Sequence, residues 1–171
     1  MGWRLEHRSV LRDRRTMPLR SPHPLGRPDP SLPRGNGELV LVVDDHPAIR
    51  DGTARLLTTV GRYVVADAAS GAEALAIVRA LNVRLVVADW RLPDMDGGTL
   101  LDQLRRERPS LPVLILTGYG PETIRDEWPA LGPGTMVLAK PVTVQQLLPA
   151  VSSLLQTHAP AGVEKPIGEV G

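Results

Sequence analysis

The sequence predicts a three-layer α/β domain over residues 37–157, a doubly wound parallel sheet with helices on both faces. Two patterns lead to it. Short apolar runs of strand length alternate five times with helix-period segments, and right-handed crossovers turn such alternation into a parallel sheet. The strand runs are apolar at nearly every residue, as in strands covered on both faces.

Taken in order, "ELVLVVDD" is a strand closed by Asp44 and Asp45. "HPAIRDGTARLLTTVG" follows, with Ile49, Thr53, Leu56, Leu57 and Val60 at helical spacing and Gly61 as the stop. "RYVVADA" is the second strand. Ser70 and Glu73 form a capping box for the next helix, whose apolar face carries Leu75, Val78 and Leu81. "VRLVVADW" is the third strand, and Asp96 is the N-cap of a helix striped by Leu100, Leu101 and Leu104. "LPVLILTG" is the fourth strand, followed by a short helix that Pro129 cuts. "TMVLAKP" is the fifth. A last helix opens with Thr143 and Gln146 as a capping box and contains Pro149, which predicts a kink or a cost of roughly 3 kcal/mol.

The flanks have a different composition. Residues 1–36 carry eight arginines against Glu6, Asp13 and Asp29, and six prolines. This segment is read as a flexible, solvated tail, with Met17 as an alternative start. Residues 158–171 are read as a second flexible tail. The rest of the chain is mildly acidic, with twelve basic and sixteen acidic side chains. There is no cysteine, which excludes disulfides and thiolate metal sites. No apolar run reaches membrane-spanning length, so the expected location is the cytoplasm. A basic tail supports weak, salt-dependent contact with nucleic acid at most.

Ligands of open parallel sheets bind beyond the carboxyl ends of the strands. Those ends carry Asp44 and Asp45, then Asp89, then Thr117 and Gly118, then Lys140 and Pro141. Neighbouring carboxylates repel and call for a counter-charge. An all-oxygen set suits a hard cation such as Mg²⁺, with Mn²⁺ as its substitute. Lys140 offers a point charge for a phosphoryl group, Thr117 a hydroxyl, and Gly118 close backbone approach. A carboxylate beside the metal can be the nucleophile that becomes an aspartyl-phosphate.

The segments "VVDDHP", "VVADWRLPDMDGG", "ILTG" and "LAKP" resemble the receiver domain of bacterial response regulators, in order and spacing, from about Leu39 to Leu155. The resemblance implies the flavodoxin-like fold with strand order 2-1-3-4-5. It implies Asp89 as phospho-acceptor and Asp44, Asp45, Asp89 and the Arg91 backbone carbonyl around Mg²⁺, with Asp45 the more direct of the two first-strand acids. Thr117 and Lys140 would contact the phosphoryl group. Val137 stands where receivers usually have an aromatic switch residue. Arg91 and Tyr119 either screen the site from water or face solvent. His46 is read as beginning a helix beside the acids, Asp94 and Asp96 as turn and N-cap residues, and Trp90 as packing at the rim.

The expected function is a stand-alone phosphoacceptor in a two-component phosphorelay, a signalling protein taking part in its own phosphorylation and dephosphorylation. The alternative is a receiver-fold interaction module that acts without phosphorylation. The expected partners are a histidine kinase or histidine phosphotransfer protein and an unidentified downstream protein. No DNA-binding domain is expected after Gln156, no membrane contact is expected, and the state is a monomer or weak homodimer. A phosphatase of the haloacid-dehalogenase kind is set aside, because it needs Asp-x-Asp where this chain has Asp44-Asp45-His46.

Overall fold

The structure, a computed structural model, describes residues 30–129 and 131–158. Most of the expected N-terminal tail, and the C-terminal tail after His158, lie outside the described residues. Five strands, β1 (Leu39–Val43), β2 (Val64–Ala68), β3 (Leu85–Asp89), β4 (Val113–Thr117) and β5 (Thr135–Ala139), alternate with helices α1 (Pro47–Arg55), α2 (Gly71–Ala80), α3 (Gly97–Glu107), α4 (Pro121–Glu127) and α5 (Val144–Thr157). All strand pairs are parallel, in the order β2-β1-β3-β4-β5. This is the flavodoxin-like fold.

Alternation along each strand supplies two cores. Leu41 and Val43 point to one side with Ala66, Val86 and Ile115, packed on Ile77, Leu100, Leu104 and Ile124 from α2, α3 and α4. Val40 and Val42 point to the other with Val65, Val87 and Leu114, packed on Leu57 and on Leu148 and Val151 of α5. Each large aliphatic side chain so buried stabilises the fold by roughly 1.5–3 kcal/mol. The register sets the strand ends level, pairing Val43 with Ala88, Asp89 with Leu116 and Thr117 with Ala139.

The caps follow the sequence closely. Ser70 accepts from the Glu73 amide at 3.2 Å, Asp96 from the Thr99 amide at 2.7 Å, and Gln146 Oε1 from the Thr143 amide at 3.1 Å. The reciprocal bond of Glu73 goes one residue further back, to the Ala69 amide at 2.8 Å. Helix α4 stops before Trp128-Pro129, as the restriction on residues preceding proline demands. Helix α5 runs on through Pro149, which lies on its exposed side while Leu147, Leu148, Ala150 and Val151 are buried.

Two details of the first helix depart from expectation. Ile49 is 41% exposed instead of buried. The segment Leu56–Val60 is a π-helical turn continuing α1. There Thr58 Oγ1 donates to Ala54 O at 2.9 Å and Thr59 Oγ1 donates to the Arg55 carbonyl at 2.6 Å, competing with the ordinary helical ladder.

Candidate functional site

Four strands end within one small area. Asp44 and Asp45 follow β1, Asp89 is the last residue of β3, Thr117 the last of β4, and Lys140 follows β5. The Lys140-Pro141 peptide is cis. Side chains from these ends, with Arg91, Tyr119 and Ile49, line an open cleft of about 290 Å³. Asp44 is not part of that lining, its side chain being 4% exposed, whereas that of Asp45 is 38% exposed.

Lys140 is the centre of the charge arrangement. Its Nζ lies 2.8 Å from Asp44 Oδ2 and 3.2 Å from Asp89 Oδ1. Partial burial disfavours its ammonium form, but the hydrogen bond to Asp44 and the charges of Asp89 and Asp44 outweigh that and hold its pKa above the ordinary lysine value. Its backbone amide also donates to Thr117 O at 2.6 Å, tying the two strand ends together. The Thr117 side chain is fully buried, and its Oγ1 accepts from the Tyr119 amide at 3.0 Å, which leaves its own proton to donate. Gly118 lines the cleft, and a side-chain carbon there would meet no protein atom. The Arg91 guanidinium stacks over the Tyr119 ring, 4.9 Å from its centroid, across the mouth.

The cation expectation can be tested against the donor set. Asp44, Asp45 and His46 offer ligand atoms within 4.8 Å of one another. His46 Nδ1 is 3.0 Å from Asp45 Oδ1, on a side chain that is 70% exposed. Both oxygens of Asp44 are already engaged, by Lys140 and by the His46 amide at 2.9 Å, so Asp45 is the freer acid. A carboxylate-dominated, partly exposed pocket fits a hard divalent cation.

Two residues take roles that sequence reasoning missed, and a third, Trp90, packs at the rim as expected but on a partner the sequence did not name. Asp94 is more than a turn residue, because its two carboxylate oxygens accept from the amides of Gly71 and Ala72 at 2.9 and 2.8 Å, capping α2 from another loop. Arg50 reaches back from α1 to the Asp44 carbonyl. Trp90, next to Asp89, is 4% exposed and packs edge-to-face on Trp128 at the end of α4, with centroids 6.2 Å apart at 74°. Gly97 and Gly98 make room for this pair. A side-chain carbon on Gly97 would lie 2.6 Å from the Trp90 ring, and one on Gly98 equally close to the Trp128 ring. The only advance signal was the pairing of two glycines with two tryptophans. Among the described residues, no helix is long and apolar enough to cross a membrane.

With this geometry established, the comparisons agree on one family. The response regulator receiver domain matches residues 40–152. The sensor kinase CckA of Brucella abortus is 39% identical over 119 residues, covering 68% of this chain and 12% of the kinase. The transcriptional regulatory protein GlrR of Escherichia coli is 37% identical over 127 residues, 74% of this chain and 28% of that protein. The DNA-binding dual master transcriptional regulator RpaA of Synechocystis is 35% identical, with 48% of its length covered. The chain thus spans less than half of each of these relatives. A CheY-like receiver domain from Methanospirillum hungatei superimposes with a TM-score of 0.65 at 31% identity, covering 72% of this chain and 97% of that one.

These relatives correct the expected partner set, which assigned a kinase or phosphotransfer donor, a protein target and no DNA-binding domain. GlrR and RpaA are transcriptional regulators, a finding that overturns the exclusion of DNA from that set. The physical reason is simple. The strand-end acids, threonine and lysine belong to the matched receiver domain, not to any output unit, so they carry no information about output.

Proposed function

The chain belongs to the response regulator receiver domain family, and from that premise we propose that Asp89 is the phosphoacceptor of a two-component phosphorelay. One Asp89 carboxylate oxygen attacks the phosphorus of a phosphohistidine. The new O–P bond makes an acyl phosphate, the N–P bond breaks, and the histidine nitrogen keeps its electron pair. The observation that carries the reading is Lys140 bridging Asp44 and Asp89 at the mouth of a cleft that Thr117 also lines.

Asp45 and Asp89, with Asp44 behind them and the Arg91 carbonyl beside them, are the residues that would hold Mg²⁺. When bound, the cation supplies charge neutralisation for the incoming phosphoryl oxygens. Lys140 then exchanges its contact with Asp89 for one with the phosphoryl group, and Thr117 donates its hydroxyl proton to a phosphoryl oxygen. Both are electrostatic contributions that cost little reorganisation, because the strand ends fix the donors beforehand. The modified aspartate loses its salt bridge, and the resulting rearrangement of the strand-end loops is the signal.

The test is incubation with acetyl phosphate and Mg²⁺ followed by intact-mass measurement. A gain of one phosphoryl group in the native chain, absent in Asp89→Asn, is expected. No gain with acetyl phosphate or a phosphorylated kinase would leave an interaction module working without phosphorylation.

A further inference from the structure

Asp44 is held at every polar atom. Its amide donates to Ala68 O at 3.1 Å, Oδ1 accepts from the His46 amide at 2.9 Å, and Oδ2 takes Lys140 Nζ at 2.8 Å. The fourth contact comes from α1, where Arg50 Nη1 donates to the Asp44 carbonyl at 2.6 Å. That carbonyl belongs to the peptide joining Asp44 to Asp45, so its direction sets how the two carboxylates stand relative to one another. The same guanidinium donates through Nε to Asp67 Oδ2 on β2 at 3.2 Å, with both side chains largely buried. One planar cation thereby spans β2, α1 and the loop that carries the acids.

By simple Coulomb reasoning Arg50 is misplaced, since a fixed positive charge behind a cation site opposes cation binding. Asp67 offsets that charge, and the planar guanidinium fork holds two acceptors in a fixed relative direction, which the rotating donors of an ammonium's single nitrogen do not. We infer that Arg50 is a positioning residue: held by Asp67, it locks the Asp44–Asp45 peptide in the orientation that presents both acids to the cation. This deepens the phosphoacceptor reading and rests on the cation site it assigns.

The two roles available to Arg50 have opposite signs, which makes them separable. If it acted as a charge alone, Arg50→Gln would tighten Mg²⁺ binding and Arg50→Lys would leave it unchanged. As a positioning residue, both variants weaken Mg²⁺ binding, on the order of tenfold as for other groups that orient metal ligands. The experiment is calorimetric titration of Mg²⁺ alone into the full chain and the two variants at fixed ionic strength, with thermal melts confirming that each is folded. Where Arg50→Gln fails to fold, Arg50→Lys decides, weakened binding supporting the inference and unchanged binding overturning it. Variants that bind Mg²⁺ as well as the native chain or better overturn the inference and leave the phosphoacceptor reading standing. A native chain that binds no Mg²⁺ overturns both.

Discussion

Lys140 Nζ lies 3.2 Å from Asp89 Oδ1, joining the end of β5 to the end of β3 across β4. The same ammonium is 2.8 Å from Asp44, whose side chain is 4% exposed, so a single cation offsets two of the three acids of the site. Lys140→Ala leaves Asp44 buried without its counter-charge. Breaking a fully buried pair costs about 3–5 kcal/mol, and the 20% exposure of the lysine side chain brings the expected loss to about 2 kcal/mol. Urea denaturation measures it. Added Mg²⁺ should restore part of the loss, because it replaces the missing positive charge; a variant as stable as the native chain would show that the bridge contributes nothing.

Alkaline pH should weaken the fold through two groups. Lys140 has its pKa raised in the folded state. Tyr63, almost wholly buried, is pushed up to about 12 by burial and secondarily by the charge of Glu38. For a raised pKa the stabilisation is complete below the unfolded value, about 10 for both side chains, and is lost as pH rises through the folded value. Stability should therefore be flat from neutral pH to about 10 and fall above it. Ultraviolet titration of tyrosinate should show a late step near 12 that is missing in Tyr63→Phe.

At the acid end the relevant group is Asp94. Burial acts to raise its pKa, but hydrogen bonds from the backbone amides of Gly71, Ala72, Asp94 and Met95 together outweigh this and hold the carboxyl below its ordinary value. A lowered pKa gives stabilisation that is present above the unfolded value of about 3.9 and lost as pH falls through the folded one. Asp94→Ala leaves the Ser70 cap of α2 but removes the acceptors of the Gly71 and Ala72 amides, and should cost about 1 kcal/mol at neutral pH. The gap between native chain and variant, read from urea midpoints, should close in strong acid. A gap that persists there would mean the side chain matters for packing and not as a charged acceptor.

How far the sequence could be read follows from the range of each interaction. Strand runs, strand order and the caps at Ser70, Asp96 and Thr143 depend on local pattern or on the family resemblance, and the structure agrees with them. Ile49 was misplaced because a helical stripe drawn from Ile49 to Val60 assumes one period throughout, whereas the chain changes to a π-helical turn at Leu56. The capping role of Asp94, read only as a turn residue, and the contacts of Arg50 were not legible for another reason. Their partners, Gly71 and Ala72 in one case and Asp44 and Asp67 in the other, become neighbours only when separate loops meet at one end of the sheet. The strand-end acids were legible because the parallel topology itself brings those ends together.

The tryptophan pair beside Asp89 gives a prediction whose sign reverses. Gly98 is the second residue of α3, and a side-chain carbon there would fall 2.6 Å from the Trp128 ring. Gly98→Ala must displace that ring and should cost about 1–3 kcal/mol, the usual range for overpacking. Trp128→Ala alone should cost about 2 kcal/mol, less than the roughly 3–5 of a fully buried aromatic because Trp128 is only half-buried. In the Trp128→Ala background the three ring atoms nearest to the added methyl are gone, and replacing glycine by alanine in a helix is favourable by up to about 1 kcal/mol. Gly98→Ala should then be neutral or stabilising. A double-mutant cycle by urea denaturation measures the coupling, and Trp90 fluorescence reports whether its surroundings change with loss of the partner ring. Equal destabilisation by Gly98→Ala in both backgrounds would show that Trp128 is not what holds that position to glycine.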